Sequence, residues 1–162
     1  MYKLPIIPNT FILPTVLETQ RMRLRPLTIQ DVVRDYEAVM ESEERLRTVF
    51  RPHGEWPAGL TLEQNTIELG WHQVEFQERT SFAYTVENLA ATKILGCMYI
   101  YPTLKQGYDV EISMWVRQSQ VDSGLDEHLF ETVEGWINEV WPFQNPGYPG
   151  RTISFDEWQE LS

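Results

Sequence analysis

Cysteine is almost missing from this chain. Cys97 is the only one among 162 residues, so no intramolecular disulfide can form and no oxidising compartment is implied. Positive charge is also scarce: 13 Lys and Arg stand against 24 Asp and Glu, a net charge of −11. A general nucleic-acid binder needs a basic surface to neutralise phosphates, so that class is excluded, and no nucleic-acid partner is expected. Long apolar runs are missing too. None approaches the roughly 20 residues of a membrane span, and no membrane partner is expected. The opening MYKLPIIPNTFILP is apolar but broken by Pro5, Pro8 and Pro14. It lacks the charged start and unbroken apolar core of a secretory signal, so the expectation is a cytoplasmic protein. Repeats and low-complexity tracts are absent.

What remains is a composition suited to a packed core. The chain is 42% hydrophobic and carries six tryptophans, and its length fits one domain over residues 1–162. Residues 1–18 read as an extended arm and 142–162 as a short irregular tail. Between them, Arg21 to Arg25 alternate with strand period, the arginines on one face and Met22 and Leu24 on the other. The arginine face reads as a solvated strand face or as a phosphate-binding stripe. Thr28 with Asp31 opens a helix near 29–44. Pro52, Gly54, Pro57 and Gly59 make 45–60 a loop. Thr61 with Gln64 caps a helix near 62–79 whose apolar face carries Ile67, Trp71 and Val74. Strands follow near 81–87, 94–101 and 109–117, paired as an antiparallel meander with a loop at Asn88 to Lys93. A helix near 124–140 and a short one capped by Ser154 and Glu157 end the chain. The fold class is α/β with a mostly antiparallel central sheet flanked by helices. Strand 109–117 has an open edge, which the tail or a second subunit of a homodimer is expected to cover.

The most informative stretch is EISMWVRQSQVDSGLDEHL, Glu111 to Leu129. Strand, turn with glycine and helix N-terminus form an anion-binding arrangement, because free N–H groups and the helix dipole both favour negative charge. Yet Asp122, Asp126 and Glu127 occupy the turn and first helical turn. From Ser119 onward the chain has nine acidic residues and one basic residue, Arg151. The geometry invites an anion and the charges oppose one.

This stretch, together with LETQRMRLRPLTIQD over 17–31 and the order of elements, resembles the GNAT superfamily of acetyl-CoA-dependent N-acetyltransferases. The wording is closest to the branch that acetylates N-termini of ribosomal proteins. The resemblance covers residues 17–141. It implies acetyl-CoA as cofactor and an amine as acceptor. It places the pantetheine arm along the backbone of Ser113, Met114 and Trp115. It places the pyrophosphate at the turn built from Arg117, Val121, Ser123, Gly124, Leu125 and Asp126. It makes Glu111 the base that deprotonates the amine. An ordinary strand-end carboxylate is the alternative reading for Glu111.

The family's turn pattern is Gln or Arg, two residues, Gly, one residue, then Gly or Ala. It falls on Val121, Gly124 and Asp126, and only Gly124 matches. Like charges about 5 Å apart cost about 1–3 kcal/mol at an effective dielectric of about 20 to 60. Arg117 is the nearest cation in sequence to offset Asp126. The tail is shorter than in the family, and nothing in the spacing brings Tyr148 to the thiol. His72 reads as a packed helix histidine or a base, Cys97 as an inert core thiol, and Trp56 as loop packing or the rim of a pocket. The pairs His72/Glu75 and Glu127/Glu131 lack a third ligand with convincing spacing, so no metal is expected. Two functions stay open: an N-acetyltransferase acting on a small amine or a protein N-terminus, and a GNAT-like module without catalysis that binds another ligand or a protein.

Overall fold

The computed structural model describes residues 4–50 and 54–162. Met1 to Lys3 of the arm, and Pro52 and His53 of the Pro/Gly loop, lie outside the described residues. The strands are β1 (Leu17–Glu18), β2 (Arg23–Pro26), β3 (Phe82–Glu87), β4 (Ile94–Pro102), β5 (Val110–Val116) and β6 (Pro146–Gly147). The helices are α1 (Val32–Glu41), α2 (Glu43–Val49), α3 (Leu62–Gln77), α4 (Leu125–Val140) and α5 (Phe155–Glu160). The strands form one sheet in sequential order. β3, β4 and β5 make the expected antiparallel meander, with Tyr84 opposite Met98 and Met98 opposite Met114.

Alternation along these strands separates two cores. On one face Met22, Leu24, Phe82, Tyr84, Met98, Ile112 and Met114 pack with Leu129, Val133 and Ile137 of α4. On the other, Ala83, Cys97, Tyr99 and Trp115 pack with Ala38, Val39, Leu46 and Leu69 of α1, α2 and α3. Cys97 is fully buried, and burial pushes its thiol well above the usual range, so it is the inert core thiol expected. The β2 arginines are neutralised by carboxylates: Arg23 pairs with Glu18 and Glu87, and Arg25 with Asp31 and Glu87. Among the described residues no helix is long and apolar enough to cross a membrane.

Three expectations need correction. The helix expected over 29–44 is broken. A 3-10 turn at Ile29–Asp31 precedes α1, and Ser42 ends it with φ −110°. The Ser42 hydroxyl donates to the Ala38 carbonyl and accepts from the Gln118 N–H at 2.9 Å, a tertiary tie invisible in local sequence. Residues 45–49, expected in a loop, continue as α2 because Leu46 is drawn fully into the core. The apolar face assigned to α3 is the outer one. Ile67, Trp71 and Val74 are exposed, while Asn65 and Leu69 are buried. Two residues along a helix turn it by about 200°, so 65/69/72/76 and 67/71/74 lie on opposite sides. The inner side mixes Asn65 and His72 with Leu69 and Phe76, and the apolar count therefore favours the wrong face.

The edge of β5 is covered by the chain's own tail. β6 pairs parallel with it, Val110 opposite Pro146 and Glu111 opposite Gly147. Gly147 is required there, because a Cβ would come within 2.5 Å of the Trp158 ring. Trp158 of α5 in turn packs edge-on against Tyr108.

Candidate functional site

β5 and β6 pair over only two residues and then part. Beyond Glu111 the open edge of β5 faces a groove of about 180 Å³, lined by Arg45, Phe50, Glu111, Ser113, Asp126 and Arg151 among others. Two arginines close this edge. Arg151, from the segment after β6, donates to the Met114 carbonyl at 3.3 Å. Arg45 of α2 donates to the Val116 carbonyl. Both also hold Asp126: Arg151 makes two hydrogen bonds of 3.0 Å to its carboxylate, and Arg45 pairs with it at 3.6 Å. The Arg151 guanidinium further sits over the Phe130 ring at 5.3 Å, a cation–π contact that fixes its plane. Gly124 opens α4 with φ 77°, a left-handed conformation that favours glycine. Arg45 and Arg151 thus offset the repulsion expected from Asp126 beside this helix N-terminus, while Glu127 in the first turn of α4 and Glu111 on the groove wall keep negative charge nearby.

The groove meets a second, larger cavity of about 420 Å³ between the sheet and α1 and α3. The two share Phe50, Glu111 and Ser113 as lining residues. The larger cavity has aromatic walls: Phe50 is edge-on to Trp56, and Tyr99 stacks on Tyr101 at 5.6 Å. Its polar lining is acidic, with Asp35 of α1, Glu68 of α3 and Glu111 of β5. Asp35 is 4% exposed and accepts from the Asn65 amide at 2.9 Å. Burial pushes its carboxyl up to about 6, against the pull of that hydrogen bond and with help from Asp31 and Glu68. Burial likewise raises Glu68, which hydrogen-bonds Trp56. Burial also raises Tyr99 and Tyr101 well above the ordinary phenol. His72 lines the same cavity with its ring 5.5 Å from Tyr99. Trp56 is thus at a pocket rim.

The structure brings Glu111, Ser113, Met114 and Asp126 together at the groove. Leu125 is buried under α4 and Val121 is half-buried against the same core. Ser123 is exposed and its hydroxyl donates to the Gln120 carbonyl at 2.7 Å. Trp115 is fully buried with its indole N–H on the Tyr99 hydroxyl at 3.1 Å. Arg117 does not reach Asp126. Its buried guanidinium bonds Glu41 at 2.8 Å, Glu37 at 3.0 Å and the Ile94 carbonyl. Tyr148 packs edge-on against Phe130 in the α4 core, away from the larger cavity, with no partner for its hydroxyl among the described residues. Sequence reasoning missed Arg45, far from the turn in sequence. It also missed Asp35, Asn65 and Glu68, whose carboxylate and amide spacing on two helices carries no motif. Arg151 had one signal, as the lone cation of the acidic C-terminal stretch.

The architecture is that of the GNAT acetyltransferases. RimL, the ribosomal L7/L12 α-N-protein acetyltransferase solved with coenzyme A, superposes with TM-score 0.61 at 13% identity, over 75% of this chain and 67% of that one. The ribosomal-protein-S5-alanine acetyltransferase from Vibrio fischeri gives 0.54 at 13% identity, over 76% and 67%. The microcin C7 self-immunity acetyltransferase MccE, solved with acetyl-CoA and AMP, gives 0.59 at 11% identity, over 75% and 66%. No protein-family model matches the sequence, and no curated protein matches it. At these identities the likeness establishes the fold, on which many functions can be built.

Proposed function

We propose that the protein is an acetyl-CoA-dependent N-acetyltransferase acting on a small amine or a protein N-terminus. The observation that carries this reading is the meeting of an arginine-bearing groove and an aromatic, carboxylate-lined cavity at Glu111 and Ser113. A two-substrate transfer needs two sites that join at the reacting atoms. Fold likeness adds that RimL and MccE were solved with coenzyme A and acetyl-CoA.

The residues present fit the cofactor's chemistry. Arg45, Arg151 and the α4 N-terminus at Gly124 would hold its phosphates by charge-assisted bonds and the helix dipole. The β5 edge at Ser113 to Trp115 would take the pantetheine amides, since the Met114 and Val116 carbonyls already face the groove. When bound, the cofactor supplies an acyl thioester open to attack by an amine. Glu111, at the junction, is the base that takes the ammonium proton, a role worth about 10²–10⁴ in rate.

One observation favours a module without catalysis. Arg151 spans the groove from Asp126 to Met114, in the place the cofactor arm would take. Calorimetry separates the two readings. Acetyl-CoA binding, together with acetylation of an amine that Glu111→Gln slows at least about 100-fold without weakening cofactor affinity, is the expected result. No heat of binding by the parent or by Arg151→Ala would end the acetyltransferase reading.

A further inference from the structure

Arg151 is held at two unequal points. Its guanidinium donates two hydrogen bonds of 3.0 Å to Asp126, a bidentate, charge-assisted pair. Its contact with the Met114 carbonyl is 3.3 Å, longer than an ordinary N–H to oxygen bond. The first hold is firm and the second is exchangeable. The backbone that carries this side chain is pinned. Arg151 and Thr152 both donate their N–H to the Tyr148 carbonyl, at 3.0 and 3.1 Å, and Gly150 donates to the Ile153 carbonyl at 2.7 Å. Gly150 has φ 84°, and a Cβ there would come within 2.5 Å of the Phe155 ring, so only glycine suits this turn. Movement is therefore left to the long, flexible side chain, which is 20% exposed and open to a ligand in the groove. Asp126 sits in the first turn of α4 facing Arg45 and Arg151. A carboxylate there occupies the position in which a helix N-terminus receives a ligand phosphate.

We infer that Arg151 is a latch that decides which acyl carriers enter the groove. In the free protein it covers the β5 edge at Met114. A phosphate arriving beside Asp126 draws the guanidinium off that carbonyl and opens the edge to the amides of the carrier's arm. A carrier with the arm but no phosphate meets a closed edge and has nothing to offer the arginine in exchange. The inference rests on the acetyltransferase reading above and adds to it a discrimination between coenzyme A and bare pantetheine.

The test is calorimetry on the full chain with coenzyme A and with pantetheine, which has the arm but neither phosphate nor nucleotide. Arg151→Ala should weaken coenzyme A about tenfold, by loss of a charged donor, and tighten pantetheine at least about threefold, by freeing the Met114 carbonyl. The opposite signs are the signature, because a misfolded protein or a merely structural arginine weakens both ligands. Arg151→Lys is the second variant. An ammonium keeps the charge but cannot hold Asp126 at two points and reach Met114 together. It should keep coenzyme A affinity within about threefold of the parent and still tighten pantetheine. Circular dichroism reports the folding of both variants. Pantetheine affinity that does not rise in Arg151→Ala would overturn the inference, leaving Arg151 as a prop for Asp126. Tightening of both ligands would overturn it too, because Arg151 would then block the groove without receiving phosphate. Either result, with coenzyme A bound by the parent, leaves the acetyltransferase reading standing. No coenzyme A binding by the parent or either variant would end that reading and this inference with it.

Discussion

The groove along β5 and the cavity beneath α1 and α3 share three residues yet differ in how their carboxylates are met. In the groove one carboxylate, Asp126, is held by two arginines. In the cavity Asp35 is buried and Glu68 half-buried among aromatic side chains, and among the described residues Asp35 accepts from the Asn65 amide rather than from an arginine. The net charge of −11 describes neither region. An average over the chain fixes solubility and long-range steering, whereas binding is decided within a Debye length of about 8–10 Å. The fold collects scarce cations where β5 opens and leaves carboxylates where the helices meet the sheet.

Removing the cations should break the comparison most severely. Replacing Arg45 and Arg151 by alanine deletes two charged donors, each worth about 1.5–3 kcal/mol, and strands Asp126 beside the helix N-terminus. Acetyl-CoA affinity should fall at least about 100-fold by calorimetry, with a shallower salt dependence than the parent. An unchanged affinity would show that the groove is not the phosphate site.

The acidic side is tested through stability. Asp35 keeps its proton up to about pH 6 when folded but loses it near 3.9 when unfolded. The native state therefore binds more protons between these values, and stability falls as pH rises through the window. Asp35→Asn cannot ionise. Its advantage over the parent should be absent at pH 3, open between pH 4 and 6, and level off above that at no more than about 3 kcal/mol, read from thermal unfolding across pH. A gain independent of pH would mean that Asp35 is already paired in the folded protein.

The smallest effect sharpens the sign of the groove. Asp126→Asn removes the one negative charge between the arginines and should tighten acetyl-CoA binding by about 0.3–1 kcal/mol, roughly two- to fivefold. A weaker affinity would show that Asp126 serves chiefly to position Arg45 and Arg151.

Much of the framework was legible without coordinates. The β3–β5 meander, the Thr61/Gln64 box and the Gly124 turn rest on period-2 alternation, a cap and one left-handed glycine, all local properties. The break at Ser42 was not legible, because its cause is a bond to Gln118 across the fold. Nor was the inner face of α3, because a helix that borders a cavity carries polar residues where a packed helix would carry leucine.

The site divides in the same way. Sequence alone placed Glu111, Ser113 and Met114 on one strand and Gly124 at a helix start, since strand pleat and helix caps are set by residues close together in the chain. It also foresaw that the tail could cover β5. Only the tertiary structure decided what surrounds them. Asp126 reads as repulsive in sequence because its cations come from α2 and from beyond β6. Arg117, its neighbour along the chain, is taken by Glu37 and Glu41 of α1. Charge pairing acts through space and depends on distance and burial, so the sign of the potential at this site appears only once the elements are packed.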